Sequence, residues 1–94
     1  MTITSMVRFK VDPADTDELL RRRAVLIDVV RRRFPGLTEA RLARIDAESW
    51  LDAWRWESAA DLERAGAAQL PEAAAAFALA RDVAREVGVV VDER

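Results

Sequence analysis

Apolar and polar positions alternate over residues 3–11. Ile3, Ser5, Val7, Phe9 and Val11 fall on one side, and Thr4, Met6, Arg8 and Lys10 on the other. A period of two over this length predicts a strand. Asp12-Pro13 then predicts a helix start, because Asp accepts from free N–H groups and Pro suits the first helical position. Asp15, Asp17 and Glu18 follow, where the helix dipole favours negative charge. Leu20, Ala24, Ile27, Val30 and Phe34 recur at intervals of three and four, the apolar face of a helix that Pro35-Gly36 stops.

Two further strands are expected over about 39–45 and 50–57. The short polar turn Asp46-Ala47-Glu48-Ser49 between them makes an antiparallel hairpin. Ser58-Ala59-Ala60-Asp61 resembles a capping box, with Asp in place of Glu. A helix follows to about residue 68, and Pro71 opens a second helical piece over about 72–81, with Ala73, Ala76, Phe77 and Ala80 inward. The last run, about 83–92, is dense in valine and reads as a strand, with Gly88 marking a bulge.

The order is β-α-β-β-α-β, which predicts an α+β, ferredoxin-like domain spanning residues 1–94, with helices on one face of a four-stranded antiparallel sheet. Trp50, Asp52, Trp54 and Trp56 share one side of the third strand, and Leu51, Ala53 and Arg55 the other. Strand four is apolar on both sides as well. Helices can cover only one face, so the other is expected to meet a second copy of the chain in a twofold dimer.

Composition narrows the chemistry. The 94 residues include neither cysteine nor histidine, which removes thiolate and imidazole nucleophiles, bases and ligands. The net charge is −2, against nucleic acid as a main ligand. The triplets Arg21 to Arg23 and Arg31 to Arg33 sit among acids and read as a solvated helix surface. No stretch resembles a signal peptide or a membrane span, so a cytoplasmic protein without membrane contact is expected. No glycine-rich phosphate loop and no carboxylate cluster of metal-ligand spacing occurs, so neither cofactor nor metal is expected.

Four segments carry a resemblance to a known family: Val7-Arg-Phe-Lys-Val-Asp-Pro13, Phe34-Pro-Gly-Leu37, Trp50-Leu-Asp-Ala-Trp-Arg-Trp-Glu-Ser58 and Pro71-Glu-Ala-Ala-Ala-Ala-Phe77. Together they resemble the antibiotic biosynthesis monooxygenase family, of the dimeric α+β barrel type. The resemblance implies a homodimer with a pocket between sheet and helices in each subunit. Some members oxidise aromatic polyketide intermediates to quinones without metal or flavin. Trp56 matches the family's pocket tryptophan at the end of the third strand. Oxygenating members often carry an asparagine on the first strand; the nearest matching position here is Val7, which cannot donate a hydrogen bond. Haem-degrading relatives use a histidine on the later helix, so the resemblance does not extend to haem breakdown.

The candidate ligand-binding residues are Trp54, Trp56 and Phe77, a flat apolar surface suited to an aromatic substrate. Trp50 lies near a turn and is expected to be partly buried. Asp52 has three readings: a base in the pocket, half of an ion pair with a neighbouring-strand residue such as Arg44, or an exposed residue at the sheet edge. Arg44 and Arg8 could orient an anionic ligand or lie on the surface. Three functions remain open at this point. They are a cofactor-independent monooxygenase acting on a hydrophobic aromatic metabolite, a non-catalytic binding or assembly protein on the same scaffold, and an isomerase or cyclase.

Overall fold

The strand pattern closes into one sheet. The computed structural model describes residues 1–94, with strands β1 (Ile3–Lys10), β2 (Leu37–Arg44), β3 (Ser49–Trp56) and β4 (Arg81–Val89) in the order β2-β3-β1-β4. Every neighbouring pair is antiparallel. Helix α1 (Thr16–Arg33) joins β1 to β2, and α2 (Ala59–Ala67) and α3 (Pro71–Phe77) together join β3 to β4. This is the ferredoxin-like α+β arrangement that the order of elements predicts.

Local chemistry sets the boundaries. The Asp12 carboxylate accepts from the Ala14 N–H at 2.9 Å, and Pro13–Asp15 forms one 3-10 turn that leads into α1. Ser58 caps α2: its hydroxyl accepts from the Asp61 N–H at 3.2 Å and donates to the Asp61 carboxylate at 2.7 Å. The shorter Asp thus holds the cap hydroxyl, a different closure from that of a Glu reaching the cap N–H. Asp61 also explains Gly36. A Cβ at Gly36 would lie 2.4 Å from Asp61 Cγ, so the residue after Pro35 must be glycine for close packing.

The last two elements divide differently from the valine pattern. Helix α3 ends at Phe77, and β4 already begins at Arg81. Gly88 pairs in register with Thr4, and the irregularity falls at the start of β4 instead. There Arg8 pairs with Ala84 but Lys10 with Arg81, and Asp82 takes up the mismatch with φ of 53°.

Helix α1 is rotated relative to the stripe read from its apolar residues. Ile27 and Val30 are buried and Phe34 is half-buried, but Leu20 and Ala24 are exposed. The face against the sheet is Leu19, Arg23, Leu26 and Val30. Arginine at position 23 hides this stripe from a reading that counts apolar residues alone.

The core has two parts. One contains Ile3, Leu26, Val30, Leu37, Trp56, Leu70 and Ala76. The other contains Phe9, Val11, Leu19 and Trp50. Burying each large apolar side chain contributes roughly 1.5–3 kcal/mol. Trp50 is only 6% exposed, more enclosed than its place near a turn suggests. No helix is long and apolar enough to cross a membrane.

Candidate functional site

Strand register assembles the site in rows. On the helix-facing side, Trp56, Ile3 and Val89 lie side by side across β3, β1 and β4. The next row is Trp54, Ser5 and Val87, and the next is Asp52, Val7 and Arg85. Period two on three strands therefore brings both tryptophans and Asp52 beneath the helices.

Between the two parts of the core lies a cavity of about 690 Å³, lined mostly by apolar side chains. That size is ordinary for a small-molecule site. Trp54, Trp56 and Phe77, the three residues expected to bind ligand, all line it, as does Asp52. The rings of Trp54 and Trp56 are 6.2 Å apart and tilted by 35°. The Trp56 indole donates to the Ser5 hydroxyl at 3.3 Å, which fixes the ring in place. On the β4 side the cavity opens, because β4 is exposed from Arg81 to Val87.

Asp52 is paired, but not with Arg44. Its partner is Arg23 of α1, whose Nε and Nη2 each donate to the carboxylate at 2.9 Å. The Trp54 indole also donates to Asp52 Oδ1 at 2.8 Å. The side chains of Arg23 and Asp52 are 16% and 13% exposed, and both line the cavity. An ion pair between helix and sheet was hidden because Arg23 belongs to a triplet that reads as solvated surface. The signal that finds it is positional: residue 23 completes the spacing 19, 23, 26, 30.

Arg44 stands outside the cavity. Its guanidinium covers the Trp50 ring at 4.9 Å and donates to the Ala47 carbonyl at 3.2 Å. Arg8 is exposed, on the face away from the helices. Neither is placed to orient a ligand in the cavity. Arg85 is, although it is not among the residues singled out from the sequence. It lines the cavity, its guanidinium lies 4.6 Å from the Phe77 ring centre, and no carboxylate pairs with it. Its alternation with Val83 and Val87 is the signal that places it on the inner face. No group of three or more acidic side chains is arranged to hold a metal ion.

No protein-family model matches the chain, and no curated protein matches it. Solved structures do. SnoaB from Streptomyces nogalater, described as a cofactor-independent oxygenase, is 24% identical with a TM-score of 0.75, over 98% of this chain and 95% of that one. A Caulobacter crescentus protein, provisionally described as an antibiotic biosynthesis monooxygenase, is 19% identical with a TM-score of 0.81, over 97% of this chain and 91% of that one. Rv0793 from Mycobacterium tuberculosis is 21% identical with a TM-score of 0.75, over 99% and 98%. The fold is therefore that of the antibiotic biosynthesis monooxygenases, as the sequence resemblance implies.

Proposed function

We propose that the chain is a cofactor-independent, monooxygenase-like protein of the antibiotic biosynthesis monooxygenase family, acting on a hydrophobic aromatic, polyketide-like metabolite. The observation that carries this reading is the cavity, apolar and walled by Trp54, Trp56 and Phe77, with the unpaired Arg85 at its open side. The likeness to a cofactor-independent oxygenase over nearly the whole chain supports it.

The chemistry is that of an acidic aromatic carbon acid or phenol. Loss of a proton gives an electron-rich anion, and Arg85 is placed to stabilise it at the cavity mouth. The anion reacts with dioxygen: the ring carbon loses two hydrogens and gains one oxygen atom, and the second oxygen leaves as water. The protein's part is to orient the ring against the tryptophans and exclude water. Anthrone is a suitable probe, since its oxidation yields anthraquinone. Chelator-treated protein is expected to accelerate oxygen uptake and anthraquinone formation above the spontaneous rate, and Arg85→Gln to lose most of that gain. A rate equal to the buffer background would sink the reading.

One observation favours a second function, binding without catalysis. Asp52, the carboxylate on the helix-facing side of the sheet that lines the cavity, is already engaged by Arg23 and Trp54 and is not a free base. Val7 beside it offers no polar group. Saturable binding of anthraquinone, without turnover of anthrone, would establish that alternative.

A further inference from the structure

The Arg23–Asp52 pair is costly where it stands. It interrupts an apolar helix stripe and an apolar strand face, and the core divides into two parts around it. Replacing such a pair with apolar residues is often neutral or stabilising, so stability alone does not explain it. Its geometry does. Asp52 accepts from Arg23 Nε, Arg23 Nη2 and the Trp54 indole, which fixes both partners. Arg23 Nη1 takes no part in any hydrogen bond. Nor is it enclosed: the buried side-chain nitrogens and oxygens without partners are Trp50 Nε1 and Glu72 Oε2. A free, accessible N–H pair thus belongs to a side chain that lines the cavity.

We infer that Arg23, held by Asp52, is a ligand-binding residue whose Nη1 donates to a neutral carbonyl oxygen of the aromatic ligand. Asp52 cancels the charge of Arg23, so the pair offers a strong donor without a net positive charge. That combination suits a ketone or quinone oxygen better than a carboxylate. Trp54, fixed by the same Asp52, supplies the flat surface on which a planar ring carrying that carbonyl would lie. Asp52 in this scheme is a positioning residue. The inference rests on the reading of the cavity as a ligand site and adds which polar group of the ligand it recognises.

Fluorene and 9-fluorenone share one carbon skeleton and differ by a methylene against a carbonyl, so their affinities isolate this contact. In equilibrium dialysis the wild-type protein is expected to bind fluorenone about tenfold more tightly than fluorene, the size expected for a hydrogen bond from a charged donor. The paired variant Arg23→Met with Asp52→Leu leaves no unpaired charge and is expected to bind both compounds with affinities within about twofold, close to that of wild type for fluorene. Arg23→Lys, which keeps a cation beside Asp52 but lacks the planar fork, is expected to lose the preference too. Equal wild-type binding of the two compounds would overturn the inference and leave the cavity reading intact. A preference that survives in both variants would overturn the assignment to Arg23. Failure of the wild type to bind either compound would overturn the cavity reading, and the inference with it.

Discussion

The guanidinium of Arg23 and the carboxylate of Asp52 meet through two hydrogen bonds of 2.9 Å each, across 29 residues of sequence and the gap between helix and sheet. Breaking the pair is expected to cost far more than deleting it. Asp52→Ala leaves a partly buried guanidinium without its counter-charge, and a loss of about 3 kcal/mol is expected. Arg23→Met combined with Asp52→Leu is expected to unfold within about 1 kcal/mol of wild type. Urea unfolding of the three proteins checks this. A loss below about 1 kcal/mol in Asp52→Ala would show that solvent already screens the pair.

Much of this architecture was legible, and the residues that were not share a cause. The helix-facing side of β3 follows from strict alternation, so Asp52, Trp54 and Trp56 fall in the cavity as their spacing implies. The Ser58 cap and the break at Pro71 are local signals that carry through to the structure, whereas the bulge read from Gly88 does not. What pattern reading missed were arginines. Arg23 and Arg85 each occupy a position that apolar periodicity reserves for the core, and a hydrophobicity count scores them as surface. Phase along the helix or strand identifies such residues; residue type does not. Arg44 failed in the opposite sense: it sits on the helix-facing side of β2, opposite Trp50, yet covers that ring near the end of the sheet rather than reaching the cavity.

Gly36 offers a test of close packing without a positive φ. A methyl group there would lie 2.4 Å from Asp61 Cγ and 2.7 Å from its Cβ. Gly36→Ala should push the α2 cap away from the end of β3, at a cost of about 1–3 kcal/mol. Asp61→Gly in the same background should recover part of that loss, minus the value of the cap interaction. No recovery in the thermal midpoint of the double mutant would mean that Asp61 is not the obstacle.

Acid should weaken one surface network in a defined direction. Hydrogen bonds from Arg21, then Arg22, hold the Glu18 carboxyl down at about 2, below its ordinary 4.5. A depressed folded value means that Glu18 adds stability above the unfolded value and loses it as pH falls from about 4.5 towards 2. The group is exposed, so the effect is small and salt-sensitive. At low salt the thermal midpoint of Glu18→Gln should lie slightly below that of wild type near neutrality and converge with it at about pH 2. A gap that widened in acid would reverse the sign and defeat the argument.

The outer face of the sheet presents Met6, Leu51, Ala53 and Ala84, framed by Arg8, Arg41, Arg55 and Glu86. On β4, the edge strand, Val83, Val87 and Val89 are 40%, 63% and 46% exposed, and Val87 lines the cavity. A free edge strand with this much apolar surface invites a second copy of the chain. Light scattering at micromolar concentration should give about twice the 10.5 kDa chain mass. Val87→Lys should shift the mass towards the monomer if the edge takes part. A monomeric wild-type protein would contradict the expectation.

Trp54 and Trp56 both line the cavity, but Trp56 also belongs to the larger core cluster. Trp56 is 1% exposed, packs with Ile3, Leu26 and Val30, and holds a hydrogen bond to Ser5. Trp54 is half-buried and faces the cavity with its indole tied to Asp52. Trp56→Phe is expected to lose about 1–2 kcal/mol of stability, through lost volume and a lost donor. Trp54→Phe removes less packing, so its thermal midpoint should move little, while affinity for planar aromatics should fall severalfold as the ring surface shrinks and the Asp52 contact goes. Thermal unfolding and equilibrium dialysis with anthraquinone on both variants read the two effects separately. If Trp54→Phe binds as tightly as wild type, that ring is no part of the ligand site. If Trp56→Phe is as stable as wild type, the indole at the centre of the larger core cluster is not supporting it.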